Sequence, residues 1–196
     1  MASNSLRLLA ALIVGLALAV LPIASATAQA SAPGAIVKVD RADAEFLKHA
    51  AEAGLAEVEA GRLAVDKGVN TQVKGFGQQM VDDHTRMHAK LRTLSSDKGV
   101  RLPIEPSIGQ RARIKLLSAA DGGSFDRKYA QSMAVKAHEE ALKLFQKAAT
   151  GATDADVKAF AAQALPGLQQ HLQTAQELKK VVDKEGNVKA RGDVKQ

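Results

Sequence analysis

Residues 73–94 read VKGFGQQMVDDHTRMHAKLRTL. Val73, Phe76, Met80, His84, Met87, Leu91 and Leu94 recur at steps of three and four. That spacing lines up one apolar face of an α-helix. Asn70 or Thr71 offers a cap and Lys98-Gly99 a stop, so a helix B is expected over 71–98. Inside it lie Asp82-Asp83 and two histidines four apart, His84 and His88. They raise one question: metal ligands, catalytic groups, or a solvated stretch of helix.

The pattern repeats on both sides. Helix A is expected over 41–67, with Asp40 as N-cap, Asp43 and Glu45 in the first turn and Lys67-Gly68 at its end. Its apolar face is marked by Leu47, Gly54, Leu55, Val58 and Val65, with Glu57 on the edge among Ala50, Ala53, Ala60 and Gly61. Helix C is expected over 125–149, started by Asp121-Gly122-Gly123-Ser124 and carrying Ala134, His138, Ala141, Phe145 and Ala148. Helix D is expected over 154–183, capped by Thr153, with a stripe from Val157 through Leu168, His171 and Leu178 to Val182. Between B and C, Pro103 and Pro106 forbid regular helix. Ser107 and Gln110 then form a capping-box pattern that starts a short helix over 108–119.

The connections A–B and C–D are short, which makes two antiparallel hairpins. The B–C connection is long enough to travel the length of the assembly. The expected fold is therefore all-α: a ferritin-like four-helix bundle with a long B–C crossover containing a short helix. The alternative is an up-down-up-down bundle with a decorated loop. Aromatic residues make up only 3% of the 196 residues, and the apolar share rests on Ala, Leu and Val, as suits closely packed helices.

The ends read differently. Arg7 precedes the apolar run 8–21, Pro22 breaks it, and small residues follow. This is the form of a secretory signal peptide over 1–28, cut after Ala28 or, alternatively, Ala30. The run is short for a membrane span. A leader covers 29–40, the bundle 41–183, and a charged, Gly-punctuated tail 184–196 is expected to be disordered. The chain has no cysteine, hence neither disulfide nor lipid attachment site. A periplasmic or secreted protein is expected. The net charge of +6 is spread through the chain among acidic residues, and stacking aromatics are few, so nucleic acid is not an expected partner. Oligomeric state stays open.

His84, His138 and His171 fall near the middles of B, C and D, and Glu57 near the middle of A. Mid-helix positions meet at one level whichever way each helix runs. These four are the candidate ligands for one divalent transition metal (Zn, Fe, Mn, Ni or Cu). Asp83, His88 and Glu139 are candidates to orient their ring nitrogens. The alternative is a core of structural or pH-sensing histidines satisfied by hydrogen bonds. A di-iron centre is disfavoured, because Glu-x-x-His is absent at these sites. No zinc-protease helix, nucleophile elbow or phosphate loop is present, and no catalytic residue is assigned. Pro166-Gly167 interrupts helix D about one turn before His171; the kink either aims that residue or only wraps the helix around the core.

The series Asp43-x-x-Phe46, Glu57-Val58, Phe76 to Met80-Val81-x-Asp83-His84, Tyr129 to His138-Glu139, and Leu165-Pro166-x-Leu168 to His171-Leu172 resembles the domain of unknown function 4142 family. It covers roughly 40–180. The resemblance implies an exported bacterial protein with a ferritin-like fold, and no established reaction. The label "predicted outer membrane protein" often attached to the family finds no barrel-like strand pattern here.

Overall fold

The computed structural model describes residues 39–192. The signal peptide, nearly all of the leader and the last four residues lie outside the described residues. Among those described, every element is helical. In chain order they are α1 (Arg41–Lys67), α2 (Thr71–Asp97), α3 (Ile108–Ser118), α4 (Gly122–Lys128), a π-helical stretch (Tyr129–Val135), α5 (Lys136–Gly151) and α6 (Ala155–Gly192).

Local chemistry sets the ends. Asp40 accepts from the Asp43 N–H at 2.8 Å, and Asn70 from the Gln72 N–H at 2.7 Å. The Ser107–Gln110 capping box closes as expected. The turn between α1 and α2 is held from outside: the buried Asp126 carboxylate accepts from the Val69 and Asn70 N–H groups at 3.2 and 2.8 Å. At α6 the capping oxygen is that of Asp154, which takes the Asp156 and Val157 N–H groups at 3.0 Å. Thr153, expected in that role, donates to Asp40 at 2.6 Å instead.

Pairwise contacts give the directions. Lys74 Nζ bonds the Val65 carbonyl at 2.9 Å and Gly61 faces Gly77, so α1 and α2 are antiparallel. Lys98 meets Asp154 at 2.7 Å at one end and Asn70 meets Glu185 at 2.9 Å at the other, so α2 and α6 are antiparallel too. Phe145 packs on Phe160 with centroids 6.1 Å apart, while His138 packs on His171 at 5.3 Å, which opposes α5 and α6. Phe76 lies by Tyr129 at 6.3 Å and His84 by His138 at 5.6 Å, so α2 runs parallel to the helical run 122–151. In the connection between them, α3 lies against α1 and is tied to α5 by Arg113–Glu140 at 2.8 Å.

The apolar core has two parts. Phe76, Phe125 and Tyr129 anchor one, and Phe46, Phe145 and Leu168 the other. Leu172 touches both. Each large ring buried this way contributes about 1.5–3 kcal/mol.

Three features differ from the expected helices. On α1 the buried face is small: Ala50, Ala51, Gly54, Ala56, Ala60, Gly61 and Ala64, with Glu57 inside it rather than at its edge. Leu55, Val58 and Val65 fall half-exposed at the margin. The reason is proximity, since a Cβ on Gly61 would stand 2.6 Å from the Gly77 carbonyl oxygen. Helix C begins at Gly122 rather than near 125 and widens into the π-helical stretch before returning to α-geometry, with Lys136 N–H reaching Gln131 O five residues back. Helix D does not stop near 183. No proline follows Pro166, Glu185 takes the Asn70 amide, and Gly186 lies against Arg127, so the helix continues through 184–192.

The backbone contact at Gly77 predicts a sign. Gly77→Ala meets Ala64 Cβ at 2.7 Å and Gly61 O at 2.8 Å, and should destabilise by about 1–3 kcal/mol despite its better helix propensity. Gly75→Ala, exposed and free of neighbours within 4 Å, should stabilise by about 0.5–1 kcal/mol. Urea unfolding of the two variants checks both signs.

Candidate metal centre

His84 on α2, His138 on α5 and His171 on α6 point into one layer between the two apolar clusters. Their ring centroids are 5.3–5.6 Å apart, and they are 3%, 1% and 7% exposed. One nitrogen from each lies within 4.8 Å of the others. Around a tetrahedral ion with bonds of 2.0–2.1 Å, nitrogens stand about 3.4 Å apart. Side-chain rotations would have to close that gap for an ion to be held.

The outer hydrogen bonds decide which nitrogens are free. His138 Nδ1 lies 2.8 Å from the Ala134 carbonyl, which can only accept. Nδ1 therefore carries the hydrogen, and Nε2 keeps its lone pair. His171 Nε2 lies 2.9 Å from an Asp83 carboxylate oxygen, so it donates there, and the lone pair of the neutral ring is on Nδ1. Asp83 is steadied by Arg86 and by Gln79 at 3.4 Å. His84 has no partner at either nitrogen. In these three rings the buried nitrogens without a partner are thus His84 Nδ1 and Nε2, His138 Nε2 and His171 Nδ1. A carboxylate or carbonyl behind each ligating imidazole is the usual outer support of a metal site. The donor set fits a transition ion.

Burial sets the protonation. It pushes the His84 imidazole well below the usual histidine range, with the two neighbouring rings adding to the effect. Burial, reinforced by His171 and opposed by the Ala134 carbonyl, lowers His138 to about 4. At neutral pH both rings are in the uncharged form that binds metal.

Glu57 is buried in the same layer but stands apart from the three nitrogens. Its Oε1 is 3.9 Å from His138 Nδ1, beyond hydrogen-bond reach, and its Oε2 has no partner. Burial raises its carboxyl well above the ordinary range. Burial, and then Glu57 itself, raise the phenol of Tyr129, whose hydroxyl is also unpartnered. Of the three expected orienting groups, only Asp83 is in place. Glu139 is exposed on α5, and His88 faces a different cleft, beside Leu55 and Arg92. The second orienting group is the main-chain carbonyl of Ala134, which no side-chain pattern advertises.

Two cavities flank the layer. One of about 350 Å³ lies between α1 and α5 beside α3 and ends on Glu57, His84 and His138. The other, of about 310 Å³, lies between α2 and α6 and reaches Asp83 and His171 beside Gly167. Pro166 sits within α6, next to the second opening.

The family described as Domain of unknown function (DUF4142) matches residues 25–178, and the chain belongs to it. No curated protein matches the chain. The crystal structure of a DUF305 fragment from Deinococcus radiodurans is similar in fold, with a TM-score of 0.63 over 75% of this chain and 99% of that one, at 12% identity. At that identity the likeness concerns fold alone.

Two outcomes follow for the metal-free protein. Replacing His84 by Leu removes two unpartnered polar atoms from the core and should stabilise it by about 1 kcal/mol, measured by urea unfolding with chelator present. A loss of about 2 kcal/mol or more would instead mark His84 as a structural residue. Stability should also fall as pH drops from 6.5 toward 4, where the unfolded chain binds protons that folded His84 and His138 refuse. A shift like that of His138 is worth on the order of 3 kcal/mol across that window. Glu57 acts oppositely, favouring folding as pH falls toward its ordinary value, while His171 and Asp83 complete the layer. Thermal melts from pH 7.5 to 4.5 should be shallower for His84→Leu.

Proposed function

We propose that this member of the DUF4142 family is an exported, ferritin-like four-helix bundle that binds one transition-metal ion through His84, His138 and His171, in metal handling or stress defence. The observation that carries the reading is the pair of outer hydrogen bonds, Ala134 O to His138 and Asp83 to His171. They leave lone pairs on His138 Nε2 and His171 Nδ1 to which no protein group donates. Imidazole donors without thiolate favour Zn, Cu, Ni or Fe over Mg or Ca. Glu57, read from sequence as a fourth ligand, stands beside the three histidines, its Oε1 3.9 Å from His138 Nδ1 and its Oε2 unpartnered.

The bundle topology rests on the direction of α2, parallel to the run 122–151, and on the long α3-bearing connection, which together support one crossover. Export rests on the apolar run 8–21 and its small-residue exit. Among the described residues, no helix is long and apolar enough to cross a membrane.

A second reading is favoured by the same burial: His84 and His138 as pH-sensing core residues whose protonation loosens the bundle. Elemental analysis separates the two. The mature chain 29–196, purified without chelator or affinity histidines, should carry about one metal per chain. A folded His84→Ala/His171→Ala variant should carry none. Saturating metal at about 100 times its Kd should stabilise the wild type by roughly 2.7 kcal/mol. Metal-free wild type with no thermal shift from Zn, Mn, Fe, Ni or Cu would leave the pH-sensing reading standing.

A further inference from the structure

We propose that the cavity between α1 and α5 is the passage by which a small neutral molecule reaches the coordination position left open by the three histidines, and that Gly54 keeps it open. The inference rests on the metal reading above. Three imidazoles around a tetrahedral ion leave one position for an outside ligand. The inner end of the cavity is formed by two of those rings and by Glu57, whose Oε2 is buried with no partner.

Gly54 supplies the second observation. Glycine inside a helix is less favourable than alanine. Gly61 and Gly77 have a packing reason, since a Cβ on either would strike backbone or Cβ atoms of the facing helix. Gly54 has none: it is buried, yet a Cβ there would meet nothing within 4 Å. The open volume it faces is the cavity, one turn of α1 before Glu57.

The walls choose the occupant. They are largely apolar, formed by Ala53, Met87, Ala137, Ala141 and Phe145. Arg113, the basic residue of the lining, pairs with Glu140 at 2.8 Å, and His49 Nδ1 lies 3.1 Å from a Glu52 oxygen. An anion passing inward would shed water and meet the carboxyl of Glu57 rather than a counter-charge, whereas a neutral molecule bears no such penalty. The class is a neutral molecule with a lone pair for the metal and a hydrogen to share with Glu57: water, a peroxide, a small amine or an azole.

The test uses the mature protein loaded with Co(II), whose visible bands report coordination, titrated at mildly alkaline pH with imidazole as the neutral probe and thiocyanate as the charged one. Imidazole should shift the bands in the wild type, at a concentration at least ten-fold below that needed with thiocyanate. Gly54→Leu should keep the Co(II) spectrum and need at least ten-fold more imidazole, with Gly54→Ala between. Bands that ignore both probes, a Gly54→Leu titration matching the wild type, or tighter thiocyanate binding would overturn the proposal. A wild type that takes up no Co(II) at all would overturn the metal reading beneath it.

Discussion

A buried imidazole nitrogen without a partner costs roughly 1–3 kcal/mol, and this core holds four of them in one layer. The rest of the molecule is arranged around that constraint. Phe76, Phe125 and Tyr129 close the core on one side, and Phe46, Phe145 and Phe160 on the other. Together these are all the chain's aromatic residues. The histidines sit between the two, with the Phe76 ring edge-on to His138 at 6.3 Å. Domains of this size are stable by about 5–15 kcal/mol, so such a layer takes a sizeable share. A bound ion would convert the same three side chains from a liability into a cross-link between α2, α5 and α6.

The scaffold that tolerates this layer is stiff where it has to be. Gly61 and Gly77 bring α1 and α2 into backbone contact, which draws Glu57 inward with the Ala-rich face of α1. Buried acids hold the ends: Asp126 clamps the turn before α2, and Asp43 takes the Thr153 and Asp154 N–H groups ahead of α6. With no disulfide available, these carboxylate clamps fix helix ends that fraying would otherwise loosen. The mid-level side chains keep their register because both ends of the bundle are pinned.

Much of this was legible in the residue order. The stripe on α2 is regular, and its partners at His138 and His171 fall on equally regular stripes, so the level of the histidine layer could be read before any contact was known. The face of α1 could not, because alanine and glycine give little amphipathic contrast, and the larger Leu55, Val58 and Val65 drew the reading to the wrong side. Both Thr153 and Asp154 are good caps, and the choice between them turned on Asp43, more than a hundred positions away. The π-helical stretch Tyr129–Val135 left no sequence mark either. It shifts the helix phase just ahead of His138, and the carbonyl of Ala134 that orients that ring belongs to the stretch.

Tyr129 is the chain's single tyrosine, and there is no tryptophan. It is fully buried, stacked on Phe125 with centroids 6.2 Å apart, and electrostatically coupled to Glu57 in the histidine layer. The molecule's ultraviolet emission therefore arises from one phenol packed against Phe76, whose ring meets His138 in the layer. Its intensity is a built-in optical gauge of whatever enters there, needing neither label nor substitution.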